Sequence, residues 1–361
     1  MRSWMLSFPL LISAALLACN GPPEAGPSGS WDQDQESPPE LQAQGPMMSL
    51  SITVEGESAF FSGVDPADAT EGAIFELSLA SGDMVMLAPY QGLSWSVAAD
   101  AAHVYWLRID PDPAVMAVPR AGGEPITLAE LPDRAESLSL DATHLYWTEK
   151  RGVMRMPKSG GDVQTVWSGL GFAGAEPERR FADVAWTGSA GATSRGARDD
   201  TRGYAMAIDE HSIFWVEQRD RVALLRVDKQ GGEATILADD LAGADRFGQA
   251  GLAFRLAVDD TSVYFSEYES GAVNKVSKQG GAVTTLSSGE IGAYALIVHE
   301  GRVYWTNPPS QAVLSIPAAG GEAEALPIPD GMSPWALAAG PTGIFVTDKA
   351  SEGAVVHIRT E

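Results

Sequence analysis

One cysteine, Cys19, is all that the 361 residues contain, so no disulfide can form within a monomer and the fold stands on packing alone. Cations are scarce as well. Lys and Arg number 24 against 48 Asp and Glu, a formal net charge of −24. A field of that sign repels nucleic acid and anionic lipid headgroups, which excludes both as partners recognised by charge. Apolar runs are short: Leu10–Ala18 falls well under the ~20 residues of an ordinary membrane-spanning helix. No segment holds a helical period, which excludes bundles and α/β sheets. Common catalytic machinery is missing too. There is no G-x-S-x-G elbow, and no cysteine beyond Cys19 to act as nucleophile. The one G-x-G-x-x-G, from Gly169 to Gly174, is followed by Pro177 and Arg179-Arg180 rather than by the helix a dinucleotide site requires.

What is present begins with a leader. Residues 1–18 carry one cation, Arg2, an apolar run and no acid, as a secretory signal does. The run ends Leu16-Leu17-Ala18-Cys19, which resembles the bacterial lipoprotein signal. That resemblance implies lipidation of Cys19 and an extracytoplasmic protein anchored to a bacterial membrane, at the outer membrane or cell surface. Residues 19–47 are rich in Pro, Gly, Gln, Ser and Glu and too poor in large apolar side chains to offset ordering, so a disordered tether is expected. Its average reach is about 30 Å.

Residues 48–361 repeat. An aromatic or apolar pair returns at Phe60-Phe61, Tyr105-Trp106, Tyr146-Trp147, Phe214-Trp215, Tyr264-Phe265, Tyr304-Trp305 and Phe345-Val346. The first residues of successive pairs lie 45, 41, 68, 50, 40 and 41 apart. Periods near 40–45 with four short apolar runs each predict an all-β fold, a β-propeller of four-stranded blades. Seven copies predict seven blades. In one unit the strands fall at about Phe254–Val258, Ser262–Glu267, Ala272–Ser277 and Ala282–Leu286. Glycine pairs such as Gly280-Gly281 then sit between third and fourth strands, where a tight primed turn would use their positive φ. Along each first strand large side chains alternate with small ones, Tyr204-Met206-Ile208 against Ala205-Ala207, as blades crowded at an axis require. The last unit lacks a fourth strand before the chain ends at Glu361, and Glu40–Gln44 is the candidate to supply it.

Tyr146-Trp147-Thr148-Glu149 and Tyr304-Trp305-Thr306-Asn307 resemble the YWTD-type propeller repeat, related to NHL and TolB-like repeats of secreted bacterial proteins. The likeness spans Ser49 to Glu361 and implies a propeller with a binding role. Six blades are usual in that family, the alternative to the seven counted here. The family's aspartate is replaced by Glu149, Glu217, Glu267 or Asn307 and survives only as Asp348; so regular a series fits bonding within each blade better than one ligand pocket.

No metal or cofactor is expected. Four of the five histidines (His103, His144, His211, His299, with His357 the fifth) fall near equivalent turns of different blades, too dispersed for one ion. Asp110-Pro111-Asp112-Pro113 and Asp239-Asp240 do not complete a calcium loop. Two connections between blades are enlarged, 169–203 and 241–253, and both leave the same face. Long loops in compact domains concentrate function. Trp95, Tyr204, Phe254, Tyr294 and Trp335 open the innermost strands of five blades, with Leu50 and Glu136 at the equivalent positions of the other two, so the seven positions form a circle at the channel mouth on that face. With Arg179, Arg180 and Trp186 those five aromatic residues are the candidate ligand contacts, either as a platform for a protein, peptide or glycan or as packing between blades. The expectation is a non-enzymatic binder; a hydrolase or lyase at the mouth, or an envelope scaffold, are the alternatives.

Overall fold

The computed structural model describes residues 40–44, 48–65, 68–89, 92–94, 96–109, 112–149, 152–168, 203–218, 222–241, 254–289, 291–349 and 354–360. Among them are strands and turns and no helix. The strands form seven antiparallel sheets of four, each taken in chain order from one segment except the last. Blade 1 runs from strand Met48–Glu55 to Met84–Ala88, blade 2 from Val97–Ala99 to Ile126–Glu130, and blade 3 from Ala135–Leu140 to Gln164–Ser168. Blade 4 runs from Gly203–Ile208 to Thr235–Ala238, blade 5 from Phe254–Val258 to Thr284–Ser287, and blade 6 from Leu296–His299 to Glu324–Leu326. Blade 7 holds Pro334–Gly340, Gly343–Asp348 and Ala354–Arg359. The expected fourth strand does come from the other end: Glu40–Gln44 pairs antiparallel with Ala354–Arg359, from Glu40↔His357 to Gln44↔Ala354. Residues 40–44 therefore belong to the ring rather than to a tether, and the edge of Ala354–Arg359 is covered. Each first strand packs on the first strands of its neighbours, and Met48–Glu55 meets Pro334–Gly340 to close the circle. The fold is a seven-bladed β-propeller.

The recurring pair explains the packing. Consecutive residues of a strand point to opposite faces, so one member enters each flanking seam. Trp106 lies with Phe60, Ile74 and Met116 in the core between blades 1 and 2, whereas Tyr105 lies with Leu145 and Trp147 in the next. Seven such cores occupy seven seams, and the one joining Phe61 and Phe75 to Phe345 seals blade 1 against blade 7. Burying each of these rings is worth about 1.5–3 kcal/mol.

The glycine pairs are used differently from the expectation. In blade 5 the Gly280 N–H donates to the carbonyl of Ser277 at 2.8 Å, so Lys278 and Gln279 occupy the centre of the turn. Gly280 and Gly281 follow it with φ of 83° and 124°. The turn itself is not primed; the glycines swing the chain back into register afterwards, which still needs the left-handed region.

That arrangement frees the central residue for another task. Lys158 Nζ reaches Asp100 of the preceding blade at 2.7 Å, Lys229 reaches Asp141 at 3.0 Å and Lys278 reaches Asp209 at 2.7 Å. Each aspartate also accepts from two backbone N–H groups of its own turn, as Asp141 does from Thr143 and His144, both at 2.9 Å. Burial raises the Asp100 carboxyl, but hydrogen bonds from Lys158 and from the Ala102 and His103 N–H groups outweigh it and hold the group down at about 2. Asp141 is likewise held below the ordinary carboxylate range, against burial, by Thr143, His144, Lys229 and Tyr146. These ties line the face opposite the one that carries the long connections.

Candidate functional site

In a blade of four antiparallel strands, the turn after the second strand and the connection after the fourth emerge together. The first strands begin on that face too. At blades 5 to 7 its described residues draw four side chains into a row. The Arg255 guanidinium stands over the Tyr294 ring, 4.3 Å from its centroid, and also donates to the Tyr294 hydroxyl. The Tyr294 and Trp335 rings follow at 4.2 Å, tilted by 36°. Lys349 Nζ then stands 3.6 Å from the Trp335 centroid. Tyr268 meets Tyr294 edge-on at 6.3 Å. All five side chains are half-buried.

The repeat itself places them. Ser266 Oγ donates to the carbonyl of Tyr294 at 2.9 Å, and Thr306 Oγ1 donates to that of Trp335 at 3.0 Å. Ser62 makes the same bond to Ser94 between blades 1 and 2. At these three positions the hydroxyl residue after the aromatic pair thus pins the entry to the next blade's first strand. In blade 3 the equivalent Thr148 Oγ1 is buried and meets no acceptor among the described residues. Lys349 is fixed by its own N–H, which donates to Ser333 O at 2.9 Å, while Asp348 Oδ1 accepts the Ser333 N–H at 2.9 Å.

The polar series that closes the second strands bonds locally. Glu267 accepts from Ser270 Oγ at 2.9 Å and from Asn274 Nδ2 at 3.1 Å, and Asn307 Oδ1 accepts the Ser310 N–H at 3.2 Å. Burial pushes the Glu267 carboxyl up and pulls the Lys349 ammonium down. The two belong to blades 5 and 7 and form no acid–base pair. The other displaced carboxylates, Asp100, Asp141, Asp209 and Asp259, lie in turns on the opposite face, and the displaced phenols of Tyr105, Tyr146, Tyr264 and Tyr304 are raised chiefly by burial.

Of the candidate contacts, Tyr294 and Trp335 are brought together. Tyr204 is the second residue of its strand and Phe254 the first of its own, and their side chains lie outside the described residues. Trp95, Arg179, Arg180, Trp186 and Cys19 lie outside them as well, as does most of the 169–203 and 241–253 connections. The sequence pattern carries one signal for the two cations of the row. Arg255 takes the position filled by Ser96, Ala205, Ala295 and Ala336 in other blades, breaking the small face of the first strand. Among the described residues no group of three or more His, Cys, Asp or Glu could hold a metal ion.

No family model and no curated protein matches the sequence. Solved propellers do match in shape. Virginiamycin B lyase from Staphylococcus aureus is 11% identical with a TM-score of 0.60, over 91% of this chain and 99% of that one. The WD40 propeller domain of Doa1 is 13% identical with a TM-score of 0.58, over 90% and 97%. BamB from Moraxella catarrhalis is 10% identical with a TM-score of 0.52, over 86% and 85%. At such identities the likeness is one of fold.

Proposed function

We propose that this chain is a lipid-anchored, extracytoplasmic propeller that binds a protein, peptide or glycan through the face of the 169–203 and 241–253 connections, without catalysing a reaction. The observation that carries the reading is the row of two cations and two aromatic rings at the channel mouth of that face. Half-buried aromatic and arginine side chains are the groups that dominate binding energy at interfaces. Of the displaced carboxylates on the opposite face, Asp100, Asp141 and Asp209 are engaged by lysines that tie blades together. Cys19 anchors the protein through lipid, consistent with its place at the end of an apolar leader; Cys19→Ser should release it from the membrane fraction.

The test blocks one face at a time. In the Cys19→Ser background, Gln311→Cys places a unique thiol on the face of the mouth, and Gln279→Cys places one on the opposite face. Each is coupled to a maleimide polymer and applied to peptide and glycan arrays. Retention lost on coupling at 311 and kept on coupling at 279 is expected. Equal retention by both, or loss at 279 alone, refutes the assignment of the face.

A further inference from the structure

Cations in this acidic chain are accounted for nearly everywhere. Arg120 pairs with Glu76 and Arg302 with Glu324, and Lys158, Lys229 and Lys278 hold the seam aspartates. Arg155, Arg226 and Lys275 donate to carbonyls of the following blade, and Arg108 to the Asp112 carbonyl. Among the described residues Lys349 is the exception: its ammonium meets neither a carboxylate nor a carbonyl, only the face of Trp335. Its desolvation lowers its pKa with no anion to offset the burial. A half-buried cation left without an anion, in a chain of net charge −24, is a seat for one brought by a ligand.

We propose that the row Arg255–Tyr294–Trp335–Lys349 binds a single peptide carboxylate, a C-terminus or one acidic side chain, with Lys349 as its principal contact. This rests on the binding reading above and narrows it. One feature selects a peptide carboxylate over a sugar, and a second selects it over a polyanion. Arg255 lies over Tyr294 and Lys349 over Trp335, so a cation already covers part of each ring that a sugar would stack on. The rings instead hold the Lys349 ammonium and the Arg255 guanidinium in place, since a cation is stabilised over an aromatic face. The acidic exterior also disfavours polyanions by long-range repulsion, whereas one carboxylate on a neutral or basic peptide is admitted.

The experiment uses the full chain and three arrays of random hexapeptides: free C-termini, amidated C-termini, and amidated C-termini with one internal Glu. Retention on the free-acid array, the Glu array or both, roughly tenfold above the amidated neutral array, is expected, and which of the two responds identifies the source of the carboxylate. Lys349→Met should lower that retention by about tenfold, and Lys349→Arg should restore it. Melting temperatures of both variants check that the ring is intact. Equal retention on all three arrays, retention unchanged in Lys349→Met, or no retention on the carboxylate arrays overturns the proposal. Capture of a neutral peptide or a glycan that coupling at 311 still blocks would do so too, while leaving the binding face itself in force.

Discussion

The seam between blades 5 and 6 lacks a tie that its three predecessors have, and restoring it tests how the ring is held. Asp259 is poised like Asp100, Asp141 and Asp209: it accepts the Thr261 and Ser262 N–H groups at 2.8 Å each and the Tyr264 hydroxyl at 2.6 Å. The position that supplies lysine at 158, 229 and 278 is here Ala318. Its backbone is already in place, because Lys275 Nζ donates to the Ala318 carbonyl at 2.7 Å just as Arg155 does to Lys229 and Arg226 to Lys278. A cation resting on that carbonyl is compatible with a lysine side chain there, as the two preceding seams demonstrate. Ala318→Lys should therefore bring an ammonium to Asp259. Asp259 is largely solvated, so the gain is screened and set against the rotamer entropy of a long side chain. About 0.5–1 kcal/mol is expected, or roughly 1–3 °C in Tm for a domain of this size. Calorimetry at low salt measures it, and about 1 M salt should erase most of it. The double-mutant cycle with Asp259→Asn isolates the pair. No gain at low salt, or a gain that persists in Asp259→Asn, would refute the reasoning.

Acid should loosen the ring at the same ties. Asp100 and Asp141 titrate below the ~3.9 of an unfolded aspartate, so their contribution is complete above about pH 5 and is lost as pH falls through the folded values. Tm should drop between about pH 5 and 2.5, and less steeply in Asp100→Asn/Asp141→Asn; parallel curves would count against these groups. Deleting residues 40–44 strips the edge of Ala354–Arg359, and loss of the cooperative transition or aggregation is expected. A deletion variant that melts like the full chain would mean that closure is not coupled to the rest of the ring.

The repeat determined the fold because its signals are local. A strand with period two must send Tyr146 and Trp147 to opposite faces, each face must be buried, and a four-strand unit repeated seven times buries both faces only in a closed ring. Blade 5 was legible nearly to the residue: three of its four strands lie where the sequence put them, and the fourth begins two residues later, at Thr284. Closure by Glu40–Gln44 was weaker in the sequence, since a strand of Glu, Gln and Ala with one Leu has little apolar pattern; pairing to Ala354–Arg359 defines it. The turn beside Gly280 shows the same limit, because positive φ is written in glycine but turn type depends on which residues the ladder leaves over. The row at the mouth belongs to tertiary structure alone. Arg255, Tyr294, Trp335 and Lys349 span almost a hundred residues and three blades, and no local rule relates a cation on one first strand to a turn two blades on. Sequence determines which residues open each strand; only the curvature of the closed ring decides which of them meet.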